Sequence, residues 1–199
     1  MTFALLLAAY LFGAVPASYL AGRWLRGVDL RQHGSGNLGA TNAFRVLGPG
    51  LALPVLLFDL AKGFLPTWFF PFWDGAGGWE WALAYGAAAV TGHVFPLFLG
   101  FKGGKGVATA TGVFVALSPL AVGMALLVWG GVLVWRRTMS LASIAGATFL
   151  VPALLVVDRR PALVAFGAAV AALVVYAHRE NIRRLLRGEE LTVTGTGEE

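Results

Sequence analysis

Apolar runs of about the length that crosses a bilayer follow one another along nearly the whole chain, separated by short segments rich in Gly, Arg and Lys. With 58% hydrophobic residues, 13% charged residues and a mean hydropathy of +0.75, the 199-residue chain has too little polar surface for a water-soluble domain. It reads as an integral membrane protein. The 27 glycines and 9 prolines lie largely inside apolar runs, as is common where helices pack closely or break within a membrane. There is no cysteine, which excludes disulfides, thiolate nucleophiles, Fe–S clusters and cysteine-ligated zinc.

Seven segments are candidate spans, at about 2–23, 51–73, 79–99, 107–117, 120–135, 141–157 and 161–177. Only Ser118-Pro119 separates the fourth from the fifth, so a single kinked helix is the alternative there. Charge distribution favours seven. With the amino terminus outside, Arg23, Arg26, Arg31, Arg45, Lys102, Lys105, Arg136, Arg137, Arg179, Arg183, Arg184 and Arg187 fall inside, against Arg159 and Arg160 outside. Six spans would move Arg136, Arg137 and the last four arginines outside and blur the positive-inside bias. The expected fold is therefore all-α, a polytopic membrane protein with seven transmembrane helices, amino terminus outside and carboxyl terminus cytoplasmic. Residues 1–190 are expected to form a single membrane domain with its site at the cytoplasmic face, and 191–199 a disordered tail. Met1–Tyr10 lacks the positive start of a cleaved leader, so the first segment reads as a retained span. The formal charge of +5 suits anionic headgroups or an anionic substrate. Without a polybasic arm interleaved with aromatics, it does not suit nucleic acid.

In this topology the polar chemistry gathers on the cytoplasmic face. The densest block runs from Gly34 through Ser35, Gly36, Asn37, Leu38, Gly39, Ala40, Thr41 and Asn42 to Arg45. Its G-x-G-x-x-G spacing is not a dinucleotide fingerprint, because no βαβ unit surrounds it and Asp59, twenty residues on, lies inside an apolar helix. The small residues still let backbone N–H groups converge on an anion, with Ser35, Asn37, Thr41 and Asn42 as added hydrogen-bonding groups and Arg45 as a bidentate phosphate donor. A turn whose Asn and Thr merely satisfy the backbone is the structural alternative. A second block, Lys102-Gly103-Gly104-Lys105-Gly106, departs from a Walker loop but sets two lysines among glycines at a helix start, where phosphate is favoured. Snorkelling lysines that end a span are the alternative. His93, ahead of this block, reads as a buried histidine hydrogen-bonded across helices.

The Arg136–Ser143 turn offers Ser140 as a helix cap and Ser143 as the better ligand candidate. Past the last span, His178 and Asn181 would share a helix face if the helix continues. The arginines around them also suit an amphipathic helix lying on anionic lipid. Asp59 and Lys62 form an i, i+3 pair inside an apolar helix, and mutual neutralisation gives them a structural or supporting role. Neither a metal-ligand cluster nor a cofactor motif is present, so no metal and no cofactor is expected.

Gly34–Asn42 with Arg45, Asp59–Gly63, Gly92–Pro96 with Phe101–Thr109, Ser140–Ser143 and His178–Ile182 together, in this order, resemble the bacterial acyl-phosphate-dependent glycerol-3-phosphate acyltransferases of the PlsY family. The resemblance implies a multi-pass enzyme of the bacterial plasma (inner) membrane. It would transfer a fatty acyl group from long-chain acyl phosphate to the 1-hydroxyl of glycerol 3-phosphate, giving lysophosphatidic acid and inorganic phosphate, the first step of phospholipid synthesis. It further implies membrane lipids as surroundings and functional coupling to the acyl-phosphate-forming enzyme. By the same resemblance Ser35, Arg45, Lys105, His178 and Asn181 are catalytic. Gly36, Asn37, Gly39, Thr41, Asn42, Lys102, Gly103, Gly104 and Ser143 would bind substrate. The His-x-x-x-x-Asp dyad of another acyltransferase class is absent, as is G-x-S-x-G. A transporter for a phosphorylated solute would also suit broken helices and intramembrane charge. No inverted repeat supports it, and the polar residues gather at one face rather than at the midplane.

Overall fold

A computed structural model describes residues 1–75 and 78–193, and among these all regular structure is helical. The chain divides into two compact units, Met1–Leu117 and the part from Ser118 onward.

The first unit opens with α1 (Thr2–Gly13) and α2 (Ala17–Ala21), which runs into a π-helical turn over Gly22–Arg26. The continuous span expected over 2–23 is thus broken, with a 42° bend between its halves. Pro16 is the cause, since it brings no N–H and its ring excludes the preceding helical turn. A 3₁₀ turn (Leu30–Gln32) and the short α3 (Ala40–Leu47) precede α4 (Pro49–Asp74), which carries Pro54, Pro66 and Pro71 in its interior. Next come α5 (Glu80–Val94), a 3₁₀ turn (Leu97–Leu99) and α6 (Val107–Leu117). Glycine sets the packing. A Cβ on Gly13 or Gly92 would strike the backbone of Ala89 or Tyr10, and one on Gly63 or Gly112 that of Thr109 or Leu60, so α1 seats on α5 and α4 on α6 at backbone contact distance. Under the 30–47 segment, Leu30, Leu38, Ala43 and Leu47 cluster with Ala52 and Val55 of α4, which anchors the glycine-rich loop to that helix.

The second unit comprises α7 (Pro119–Arg136), α8 (Met139–Val157), α9 (Pro161–Ala177) and α10 (Arg179–Arg187). Ser118 is non-helical at φ −156°, ψ 73° and Pro119 starts α7, so the kinked single helix over 107–135 does not form. Gly146 of α8 lies against Trp129 of α7. A 56° bend separates α9 from α10 at His178, so the uninterrupted helix on which a shared face of His178 and Asn181 depends does not form. Four helical stretches are long and apolar enough to cross a membrane: α4, Glu80–Leu99, α7 and α8. The bent pairs at either end of the chain add two more if each is one span, and the 11-residue α6 is apolar but shorter. Within the segment expected to form the tail, the Val193 N–H donates to the Arg137 carbonyl at 2.9 Å. The remainder of that segment, 194–199, lies outside the described residues.

Candidate active site

In the first unit the glycine-rich loop is held from within by Asn42, 1% exposed. Its Nδ2 donates to the carbonyls of Leu30 (3.1 Å) and His33 (3.0 Å), and its Oδ1 accepts from the Ser35 N–H (2.9 Å). Asn42, grouped in the sequence with ligand-binding residues, therefore organises the loop through its amide. Gly34 at φ +59° and Gly36 at φ +69° make the left-handed turns that a side chain resists. Ser18 of α2 closes the far end, its hydroxyl donating to the Leu38 carbonyl at 2.7 Å. Ahead of the loop, Arg31 grips the Asp29 carboxylate at 2.7 Å and holds its pKa down at about 2. Ser35, Gly36, Asn37, Gly39, Thr41 and Arg45 are all half-buried along the loop and α3.

The second loop leaves α5 at His93. The Gly103 N–H donates to the Val94 carbonyl and that of Gly104 to the His93 carbonyl, both at 3.1 Å. A Cβ on Gly103 would collide with the His93 carbonyl, and one on Gly104 with its imidazole. The smallness and the amides of these two glycines, both grouped in the sequence with the substrate-binding residues, thus serve the packing on His93. Gly106, at φ +79°, makes the turn into α6, and its carbonyl accepts the first intrahelical bond, from Ala110. The N–H groups of Val107, Ala108 and Thr109 thus make up the first turn of α6, where helix geometry provides no intrahelical acceptor. Lys105 stands half-buried just ahead of it and Lys102 is exposed.

Beneath this loop lies a polar cluster that the sequence only half revealed. Lys62 and Asp59 of α4 pair at 2.8 Å, each almost fully buried. The imidazole of His93 joins them, with Nδ1 at 3.1 Å from Lys62 Nζ and 3.6 Å from Asp59. A small cavity is lined by these three side chains together with Leu38, Gly103 and Gly104.

In the second unit His178 ends α9, 3% exposed, with Nδ1 at 2.8 Å from the Val174 carbonyl. A carbonyl only accepts, so Nδ1 carries the proton and in the neutral ring Nε2 bears the lone pair. Asn181 and Ser143 are buried as well. The cap of α8 is not Ser140 but Thr138, whose backbone is extended and whose hydroxyl turns back to the Arg136 carbonyl. Ser140 instead donates to Glu190 Oε1 at 2.8 Å, where Asn181 Nδ2 also arrives at 2.6 Å, while Arg184 reaches Oε2 at 2.8 Å. Burial raises the Glu190 pKa, and the bonds from Asn181, Ser140 and Arg184 outweigh it, leaving the carboxyl below its ordinary value. Sequence reading missed Glu190 because it stands next to the expected tail. Its only signal is an acidic residue just beyond the glycine that ends a basic helix. Among the described residues no group of three His, Asp and Glu side chains gathers as a metal site.

The glycerol-3-phosphate acyltransferase family profile matches residues 3–188. Glycerol-3-phosphate acyltransferases of Syntrophomonas wolfei and Aquifex aeolicus are 44% and 46% identical to the chain, covering 96% and 94% of it and 96% of each relative. The chain belongs to this family. A crystal structure of PlsY, an integral membrane glycerol 3-phosphate acyltransferase, in its glycerol 3-phosphate form superposes with a TM-score of 0.89 at 41% identity, covering 96% of this chain and 94% of that one. Its lysophosphatidic acid form superposes with a TM-score of 0.86 at 40% identity. The all-helical fold is thus that of a membrane-embedded enzyme family.

Proposed function

We propose that the protein transfers a fatty acyl group from acyl phosphate to the 1-hydroxyl of glycerol 3-phosphate, releasing 1-acylglycerol 3-phosphate and inorganic phosphate in the first step of phospholipid synthesis. The observation that carries this reading is the near-full-length likeness, at 41% identity, to PlsY in its glycerol 3-phosphate form. The local geometry supports it. Both substrates are phosphate anions, and the first unit offers two glycine-shaped loops, each leading into a helix start, with Arg45 and Lys105 beside them.

The glycerol hydroxyl oxygen attacks the acyl carbonyl carbon, the new ester bond forms, and the bond from that carbon to the phosphate oxygen breaks. Because acyl phosphate is already activated, the protein's task is to hold two anions together and to stabilise the oxyanion and the departing phosphate. Ser35, Gly36, Asn37, Gly39 and Thr41, with Arg45, form the acyl-phosphate cradle. Lys102 and Lys105, with the open first turn of α6, bind phosphate; Gly103 and Gly104 shape that loop and Asn42 shapes the first. Ser143 and Asn181 bind the polar substrate, and His178 orients it. The hydroxyl proton passes to a substrate phosphate.

Residues 1–190 act as one membrane domain crossing the bacterial plasma membrane seven times, amino terminus outside. The acyl phosphate arrives from a membrane-associated enzyme that forms it. The test is phosphate release from palmitoyl phosphate by the purified protein, with and without glycerol 3-phosphate, alongside Lys105→Ala. Release that needs the acceptor and falls at least about 100-fold in the variant is expected. No release by folded protein, or full activity in the variant, overturns the reading.

A further inference from the structure

Lys62 lies midway along α4, 1% exposed, and its ammonium carries three N–H donors. Three acceptors meet them: Asp59 Oδ1 at 2.8 Å, the Val15 carbonyl at 2.9 Å and His93 Nδ1 at 3.1 Å. The acceptors belong to three different places, namely α4 itself, the break between α1 and α2, and the last turn of α5. An ammonium cannot accept, so Nδ1 receives the bond through its lone pair and the neutral ring keeps its proton on Nε2. Neutralising a charge inside an apolar helix requires only Asp59. The other two bonds go to the elements from which the two candidate loops hang.

From Val15 the chain passes through Pro16 to Ser18, whose hydroxyl holds Leu38 near the end of the Gly34–Gly39 loop. From His93 the link is shorter still. Its imidazole fills the space where a Gly104 side chain would be, and its carbonyl takes the Gly104 N–H. We propose that Lys62 is a positioning residue, the shared fixed point that sets the Gly34–Gly39 loop and the Lys102–Gly106 loop with respect to one another through Val15 and His93. The consequence for catalysis rests on the acyl-transfer reading above; the geometric content does not.

Removing one charge alone would leave its partner buried and uncompensated, so the decisive variant replaces both, Asp59→Leu with Lys62→Met. Two quantities are read: amide hydrogen exchange of the unliganded protein in lipid nanodiscs, and steady-state acyl transfer. Exchange over 34–39 and 102–106 is expected to speed up at least about tenfold, while 141–157 keeps its parent rate. Because a misplacement of about 1 Å costs on the order of 100-fold, kcat is expected to fall by about that factor. Parent exchange and parent kcat in both loops would mean that the pair only neutralises itself, and would overturn the proposal.

Should the double variant not fold, His93→Leu decides, since it keeps the Lys62 bonds to Asp59 and Val15. Faster exchange is then expected over 103–106 alone, with 34–39 at the parent rate, and His93→Asn, which returns an acceptor to Lys62, is expected to restore it. Acceleration in both loops or in neither overturns the proposal. If the parent itself releases no phosphate from acyl phosphate, the functional reading falls, and the exchange data still decide the positioning role.

Discussion

A carboxylate that accepts from an amide, a hydroxyl and a guanidinium at once, as Glu190 does from Asn181, Ser140 and Arg184, is kept charged by its donors. Its folded pKa lies below the ordinary value of 4.5. The stability it contributes is therefore fully present above that value and is lost as pH falls through the folded pKa. In Glu190→Gln the acid-side loss of unfolding free energy, followed by thermal unfolding across pH, should be smaller than in the parent by about 1 kcal/mol after solvent screening. Equal losses in the two proteins would show that the carboxylate is not linked to folding. At His178 the Nδ1 bond to Val174 fixes the ring and its tautomer, which agrees with the orienting role proposed for it. Since the proposed proton acceptor is a substrate phosphate, His178→Ala is expected to lower kcat while keeping any limb the parent shows near pH 6.5. Loss of that limb would make His178 the base instead.

Elements are held in this protein by what glycine omits. Gly63→Ala would drive a methyl into the Thr109 backbone across the α4–α6 contact, where neither helix can yield. A loss of about 1–3 kcal/mol is expected. Gly131→Ala in α7 meets open space and should be neutral or stabilising by up to about 1 kcal/mol. Thermal unfolding of the two variants in one detergent checks the contrast, and similar midpoints would refute it. Apolar length foretells the helices well: 161–177 forms as expected, and 120–135 and 141–157 differ by a residue or two from α7 and α8. What hydropathy hides are the breaks and the polar partners. Pro16 splits the first span because a missing donor acts locally. Thr138 rather than Ser140 stands at the cap of α8, and the Ser140 hydroxyl goes instead to Glu190, fifty residues on. The short α3 has too few apolar residues to register as a span, and it is fixed by Asn42 bonds to carbonyls nine and twelve residues earlier.

At the scale of the whole chain, helix length alone leaves the number of crossings between four and six, with α6 shorter still, so charge must carry the argument for seven. The absence of cysteine makes that argument testable with single introduced thiols at exposed positions. A seven-span chain with its amino terminus outside places Glu80 and Arg159 on the outer side and Gln32, Arg136 and Arg187 on the inner side. Glu80→Cys and Arg159→Cys should then react with a membrane-impermeant thiol reagent in intact cells. Gln32→Cys, Arg136→Cys and Arg187→Cys should react only once the membrane is opened. If α6 does not cross, the side of every later position inverts: Arg136→Cys and Arg187→Cys label from outside and Arg159→Cys from within. That inversion would place the α10 arginines and His178 on the side opposite the two glycine-rich loops. A single reaction at the cytoplasmic face could not use both sets of residues, so the labelling pattern tests the chemistry as well as the topology.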